Sequence, residues 1–462
     1  MYNKNSDVLK KKEIEILRNA VDNIANDDAY KKANDDNIKN MINILEDFLK
    51  KNKILCYGGT AINNLLPNDK QFYNKNLEIP DYDFFSPNAL KLAHDLANIY
   101  YKNNYKDVEA KSGVHEGTYK VFVNFVPIAD ITQMDKNLFS NLYKQSIRIN
   151  KINYCPPNFL RMAMYLELSR PNGDVSRWEK ILKRIILLNE YYPIEGNKCF
   201  KETINRPYTG ENNDKKIIYN VIKNTVIDEE LIFFGAFASS LYKSYIDNSL
   251  YDNNYTPDFD ILSNNAEESA LLIKKNLIDN GIVNVKILKK KPIVDYLDEH
   301  YVLSIDNYNV AIIYNTKACY SYNEIIINNK TLRIATIDTM LSFYLIFIYI
   351  NRDYFDTNRI LCMAQFLFNV QYKNRLKQKG LLKRFVSSCY GNQETLKDIR
   401  IKKSTLIRNI IDKKIDKNSD EYLRNFYRYI PSFNYYKSLK QFKNSKQFKV
   451  QKKTLKKTLK KK

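Results

Sequence analysis

Apolar residues recur along this chain at spacings that change from helical to strand-like in a fixed order, and that order predicts its architecture. Residues from about Val8 to Asn26 and from Asp36 to Lys51 carry a helical period. In the second block Ile38, Met41, Ile42, Leu45, Phe48 and Leu49 form one face, which predicts packing on a core. The run from Lys53 to Tyr57 ends in Gly58-Gly59-Thr60 and passes into a helix-compatible segment, so it reads as strand, tight turn and helix start. Ile79 to Ser86 predicts a second strand, and Ser86-Pro87 the start of a helix reaching about Tyr101. A nearly continuous apolar strand from Tyr119 to Thr132 follows, with Asp130 near its end. From Pro156 to Asn189 the helical period returns, with Leu160, Met164, Leu168, Trp178, Ile181, Leu182 and Ile185 facing a core. The interspersed Arg161, Arg170, Arg177, Lys180, Lys183 and Arg184 read mainly as a solvated face.

The second half then replays the first. Residues 191–213, rich in Pro, Gly, Asn and Thr, read as a linker, after which come a helix (214–225), a short apolar strand (231–234) and a glycine turn. Asp258 and Asp260 follow, then a helix, strands, and helices from about Ile337 to Gln371. From Gly58 to Asp81 is 23 positions (81 − 58), and from Gly235 to Asp258 is also 23 (258 − 235). At the common offset of 177, Pro80, Asp81, Asp83, Ser86, Asn88 and Ala89 meet Pro257, Asp258, Asp260, Ser263, Asn265 and Ala266. The fold class is therefore α+β, with two tandem domains of mixed sheet packed with helices. The expected boundaries are 1–190, a linker 191–213, 214–385, and a helical region with a Lys-rich tail over 386–462. In the second copy Ala236 stands where the second glycine was, and Asn315 aligns with Asp130. An amide is a poor ligand for a hard cation and cannot act as a base, so the second copy reads as degenerate, with Asp258 and Asp260 kept for structure, such as capping the next helix.

Composition adds charge. With 74 basic and 52 acidic residues the formal charge is +22, which implies an anionic partner, nucleic acid first. The last 26 residues, from Lys437, hold twelve lysines and no acid, and Phe426, Tyr427, Tyr429, Phe433, Tyr435 and Tyr436 precede them. That combination reads as a sequence-indifferent RNA contact, with aromatic rings available for base stacking. The longest apolar run, near Met340 to Ile350, is too short to cross a bilayer, so no membrane is expected. Six scattered cysteines without a Cys-x-x-Cys and only three histidines exclude a zinc module, and argue for free thiols in a reducing compartment and against a disulfide framework. Abundant Asn, Lys, Ile and Tyr beside only 11 glycines read as a coding bias with no structural role.

The candidate chemistry lies in the carboxylates. In an extended strand residues i and i+2 share a face, so Asp81 and Asp83 project side by side, about 7 Å apart at Cα. Carboxylates that close repel unless a cation lies between them, and a hard divalent ion fits that need. Asp130 is the candidate third ligand from a neighbouring strand, where an unpaired charge is costly to bury. The glycine turn allows close approach of a phosphate to a helix N-terminus. Asp-x-Asp alone is common at strand edges and Gly-Gly-Thr is an ordinary turn. Their repetition at one spacing singles them out.

Gly58-Gly59-Thr60, Asp81-x-Asp83 flanked by aromatics, and the lone Asp130 resemble the polymerase-beta-like nucleotidyltransferase superfamily, and the degenerate second copy and basic tail resemble the poly(A) polymerases of poxviruses and giant DNA viruses. The gap from glycines to acids is longer than the superfamily's usual pattern. The resemblance implies two tandem nucleotidyltransferase-like domains, the second degenerate. It implies that Gly58, Gly59 and Thr60 bind the triphosphate of ATP, and that Asp81, Asp83 and Asp130 hold Mg²⁺ or Mn²⁺. It further implies transfer of AMP from ATP to an RNA 3′ hydroxyl with release of pyrophosphate, in the cytoplasm, by a viral homodimer. The alternatives are another nucleotidyltransferase, with a different NTP or a non-RNA acceptor, and an inert RNA-binding scaffold.

Overall fold

A computed structural model describes residues 2–74, 77–204, 212–247, 251, 256–293, 296–412, 415–416 and 419–431. The chain forms two compact units, one of residues 1–139, 146–154 and 402–462, the other of 140–145 and 155–401.

The first unit begins with helices α1 (Tyr2–Ala33) and α2 (Asp36–Lys51). Asp35 caps α2 by accepting from the Asn37 and Ile38 amides, and Met41, Leu45, Phe48 and Leu49 are its buried face. There follow β1 (Leu55–Tyr57), α3 (Gly58–Leu65), β2 (Tyr82–Ser86), α4 (Ala89–Lys102), β3 (Val108–Ser112), β4 (Thr118–Val123) and β5 (Val126–Gln133). Helix α5 (Lys136–Lys144) leads to β6 (Ile147–Ile149) and β7 (Ile152–Tyr154). In the second unit come α6 (Pro157–Leu168), α7 (Trp178–Tyr191), α8 (Lys201–Ile204), α9 (Asn212–Asp228), β8 (Ile232–Phe234), α10 (Gly235–Ser240), β9 (Phe259–Ser263), α11 (Ala266–Asp279) and β10 (Val285–Lys290). It continues through β11 (His300–Ile305), β12 (Tyr308–Asn315), β13 (Tyr320–Ile327), β14 (Lys330–Ala335), α12 (Ile337–Phe347), α13 (Thr357–Lys373) and β15 (Cys389–Tyr390). Helix α14 (Leu396–Ile411) begins in the second unit and ends in the first, to which α15 (Asp420–Phe426) and β16 (Arg428–Tyr429) belong.

The sequence repeat is a repeat of topology. The sheets run β16-β3-β4-β5-β2-β1-β7-β6 and β10-β11-β12-β9-β8-β14-β13-β15. From β3 to β6 and from β10 to β13 the order is the same, and so is every strand direction, with β2–β5, β1–β7, β9–β12 and β8–β14 parallel and the other neighbours antiparallel. Four hairpins turn on two residues that both have positive φ: Asn124-Phe125, Asn150-Lys151, Asp306-Asn307 and Asn328-Asn329. Such turns match the twist of the flanking strands and tolerate Asn and Asp where Gly is otherwise used. Part of the asparagine excess, expected to have no structural role, thus supplies tight turns in a glycine-poor chain.

Other expectations change too. Residues 155–190, expected in the front domain, group with the second unit, because α6 packs on α12. The cysteine expectation fails for four of six residues: Cys199 and Cys362 are joined (S–S 2.05 Å), as are Cys319 and Cys389 (1.94 Å), leaving Cys56 and Cys155 free and buried. Arg161 is fully buried, donating to Asn189 Oδ1 (2.6 Å) and to the carbonyls of Leu188 and Tyr192 at the end of α7, and burial lowers its pKa to about 10. The α4 cap is Asn88, whose amide bonds Ser86 Oγ (3.0 Å). Tyr427 packs edge-on against Tyr119 and Tyr429 donates to Asn98 Oδ1 (2.7 Å), so both rings are engaged by the first unit. Phe433, Tyr435, Tyr436, the lysine-rich tail and 205–211 of the linker lie outside the described residues. No helix among the described residues is long and apolar enough to cross a membrane.

Candidate active site

The order β4-β5-β2-β1 and its registers assemble the site. Lys120 pairs with Asp130 between β4 and β5, Asp130 with Asp83 between β5 and β2, and Asp83 with Tyr57 between β2 and β1. Register partners share a face on strands about 4.8 Å apart, so Lys120, Asp130, Asp83 and Tyr57 form a row across four strands. The alternation of β2 fixes which face that is. Tyr82 and Phe84 point to the other side, where the Tyr82 hydroxyl donates to Glu46 Oε1 (2.8 Å) and Phe84 meets Phe48 at 6.4 Å between centroids. Beside the row, Tyr57 bonds Thr132 (2.9 Å), Thr132 bonds Thr118 (3.1 Å), and the Tyr57 ring stacks on Phe85 at 3.8 Å.

The glycine turn touches this row. Gly58 has φ +74°, and a Cβ there would stand 2.4 Å from Asp83 Oδ2. Its missing side chain is therefore the space that the Asp83 carboxylate uses. Thr60, only 3% exposed, donates its hydroxyl to the Asp81 carbonyl (2.6 Å) and so ties α3 to the residue before β2. Asp81 is exposed, Asp83 half-buried, and Asp130 is ion-paired with Lys120 at 19% and 34% side-chain exposure for acid and base. Beneath the row, burial first and then the charges of Asp83 and Glu46 push the Cys56 thiol far up, which keeps it protonated and unreactive. A cleft of about 630 Å³ borders the turn, lined by Thr60, Asn63, Asp81, Tyr82 and Tyr154 among others, but not by Asp83 or Asp130.

The donor set suits a hard cation: two carboxylates face one another across neighbouring strands, where their charges repel unless compensated. Lys120 compensates Asp130 in the metal-free arrangement, and among the described residues no three His, Cys, Asp or Glu stand together closely enough to hold an ion. The structure thus brings together Gly58, Asp83 and Asp130, places Asp81 just ahead on the same strand line, and gives Thr60 a positioning contact. Lys120, Tyr57, Thr118 and Thr132 escaped the sequence reading, although the alternation of Thr118 and Lys120 with Tyr119 and Val121 marks them as one polar face.

The second unit repeats the frame without its chemistry. Phe234 pairs with Asp260, Gly235 has φ +72°, and a Cβ there would lie 1.9 Å from Asp260 Oδ2. On β12, however, the residue in register with Asp260 is Ile312, which is buried. Asn315 is instead in register with Ser263, as Gln133 is with Ser86, and both amide oxygens accept from a helix N-terminus: Ala266 N–H to Asn315 (2.7 Å) and Ala89 N–H to Gln133 (3.0 Å). Asn315 therefore corresponds to Gln133, and the alignment with Asp130 is corrected. Helix capping by Asp258 or Asp260 is also replaced: Asn265 caps α11, accepting from the Glu268 amide (3.3 Å).

Comparison with known proteins agrees with this geometry over the front of the chain. Residues 43–174 match the family model "Poly(A) polymerase catalytic subunit". The chain is 35% identical over 158 residues to the "Putative poly(A) polymerase catalytic subunit" of Acanthamoeba polyphaga mimivirus, covering 34% of this chain and 27% of that protein. It is 32% identical over 170 residues to the protein so described from African swine fever virus (strain Badajoz 1971 Vero-adapted), covering 36% of this chain and 35% of that one. The matched stretch thus spans about a quarter to a third of these relatives. The crystal structure of the Megavirus polyadenylate synthase shares the fold, with TM-score 0.74, 18% identity, and coverage of 99% of this chain and 90% of that one.

Proposed function

We propose that this chain adds AMP from ATP to the 3′ hydroxyl of RNA without a template, releasing pyrophosphate. The observation that carries the reading is the register that sets Asp83 opposite Asp130, with Gly58 vacating the space beside Asp83. The matched relatives, described as catalytic subunits of poly(A) polymerase, supply the reaction type. Asp83 and Asp130, with Asp81, hold the divalent ions, Mg²⁺ or Mn²⁺. A bound ion there supplies the charge that stabilises attacking and leaving oxygens. Asp130 orients the 3′ hydroxyl and draws its proton, while the Gly58-Gly59 backbone at the start of α3 faces the triphosphate. Thr60 acts through its bond to the Asp81 carbonyl, as a positioning residue. The excess of basic residues holds RNA through its phosphates, which permits sliding between additions. Ile312 in the place of Asp130 makes the second unit a scaffold. A homodimer fits α1, where Ile14, Leu17, Val21 and Ile24 are exposed at the 3-4-3 spacing of a coiled-coil seam. The viral relatives place the action with viral transcripts in the host cytoplasm.

Labelled ATP, Mg²⁺ and a short RNA test the activity, with each NTP supplied singly to separate adenylation from other nucleotidyl transfer. Wild type extends the primer with ATP; Asp83→Ala and Asp130→Ala each lose at least about 100-fold in turnover, roughly 2.7 kcal/mol, with little change in RNA affinity. Undiminished extension by either variant overturns the reading.

A further inference from the structure

The second unit keeps an Asp-x-Asp on the same frame, and the charge that balances it comes from the protein. Asp258, the counterpart of Asp81, is ion-paired with Arg359 of α13, and the two side chains are 10% and 7% exposed. Arg359 Nε also donates to the carbonyl of Ile204 (2.8 Å), so the guanidinium is anchored at both ends. Asp260 presses against Gly235 as Asp83 presses against Gly58. In the first unit the corresponding acid is exposed and the nearby side-chain cation, Lys120, is a flexible ammonium one third exposed. We infer that Arg359 is the built-in replacement for a divalent ion in the second unit, a fixed cation in a converted metal site.

Three features carry this. Ile312 removes the third carboxylate, so the site has lost the charge that makes a divalent ion worth desolvating. A guanidinium neutralises a carboxylate with directed N–H bonds and stays charged at any working pH. Its second bond, to Ile204, lets the same cation fasten the end of α8 to the start of β9. Removing Arg359 leaves Asp258 buried and uncompensated beside Asp260, which is the condition under which an oxygen-seeking ion binds.

The inference rests on reading the first unit as the metal-holding copy, so the test is made with that copy disabled. In a background of Asp83→Asn with Asp130→Asn, thermal melting is followed with and without Mg²⁺ or Mn²⁺. Arg359→Met lowers the midpoint, and millimolar divalent ion raises it again by about 3 °C or more, a shift absent from the background protein. Adding Asp258→Asn to Arg359→Met removes the response to the ion. Arg359→Lys, which keeps a cation, melts between the two and does not respond; it serves also if Arg359→Met does not fold. No recovery by divalent ion in Arg359→Met, a recovery that survives Asp258→Asn, or an equal response in Arg359→Lys would each overturn the inference. The wild-type response to divalent ion reports separately on the first unit.

Discussion

Gly58→Ala adds one methyl group at the point where the glycine turn meets the acids. Two costs follow from the geometry. The residue sits at φ +74°, a left-handed conformation that costs an L residue about 1–2 kcal/mol. The new Cβ would also stand 2.4 Å from Asp83 Oδ2, closer than any real contact, so the carboxylate must swing away. The first cost lowers stability; for a unit of this size 1 kcal/mol is roughly 2–4 °C in melting temperature. The second displaces Asp83 from Asp130, and a displacement of about 1 Å in such a site costs on the order of 100-fold in rate. Gly235→Ala is the internal control, because φ is +72° and the added Cβ meets Asp260 at 1.9 Å. It loses at least as much stability but, per folded molecule, keeps its turnover. Primer extension and thermal melting on both variants give the comparison. Wild-type turnover in Gly58→Ala, or an equal loss of turnover in Gly235→Ala, refutes the reasoning.

Two further outcomes follow from the second unit. His300 is fully buried, bonded through Nδ1 to the Asp298 carbonyl (3.1 Å) and through Nε2 to Tyr354, and burial above all lowers its pKa to about 4. Against an unfolded value near 6.5, the neutral ring contributes stability that is present above pH ~6.5 and lost as pH falls toward 4, on the order of 3 kcal/mol at most. Urea unfolding of wild type and His300→Gln at pH 7, 5.5 and 4.5 checks this; equal pH slopes count against it. The disulfides close loops of 163 and 70 residues, so reduction lowers the denaturation midpoint, by about 2–4 kcal/mol for each bond. Peptide mapping without reductant should recover Cys199–Cys362 and Cys319–Cys389 as linked pairs, and free thiols at those positions would contradict the pairing.

Much of this was legible in the chain because it rests on local rules and on repetition. The apolar face of α2, the glycine turn, the period-2 strands and the duplicated spacing each report a backbone preference that short segments carry with them. The offset of 177 held through the glycine turn and the acid pair because no hairpin intervenes. It failed beyond them, since loops between strands differ in length and only ladder register says which residues face each other. Counting from Asp83 led to Asn315, whereas pairing put Ile312 there.

Sequence by itself determined the α+β class, the duplication, and Gly58, Asp83 and Asp130 as candidates, since these depend on residue type and spacing. Tertiary structure alone decided that Lys120 stands next to Asp130, that Arg359 reaches Asp258 from 101 positions away, that four cysteines pair, and that α6 and α7 belong to the second unit. Contacts between distant segments are set by strand order and helix packing, which no window of sequence contains.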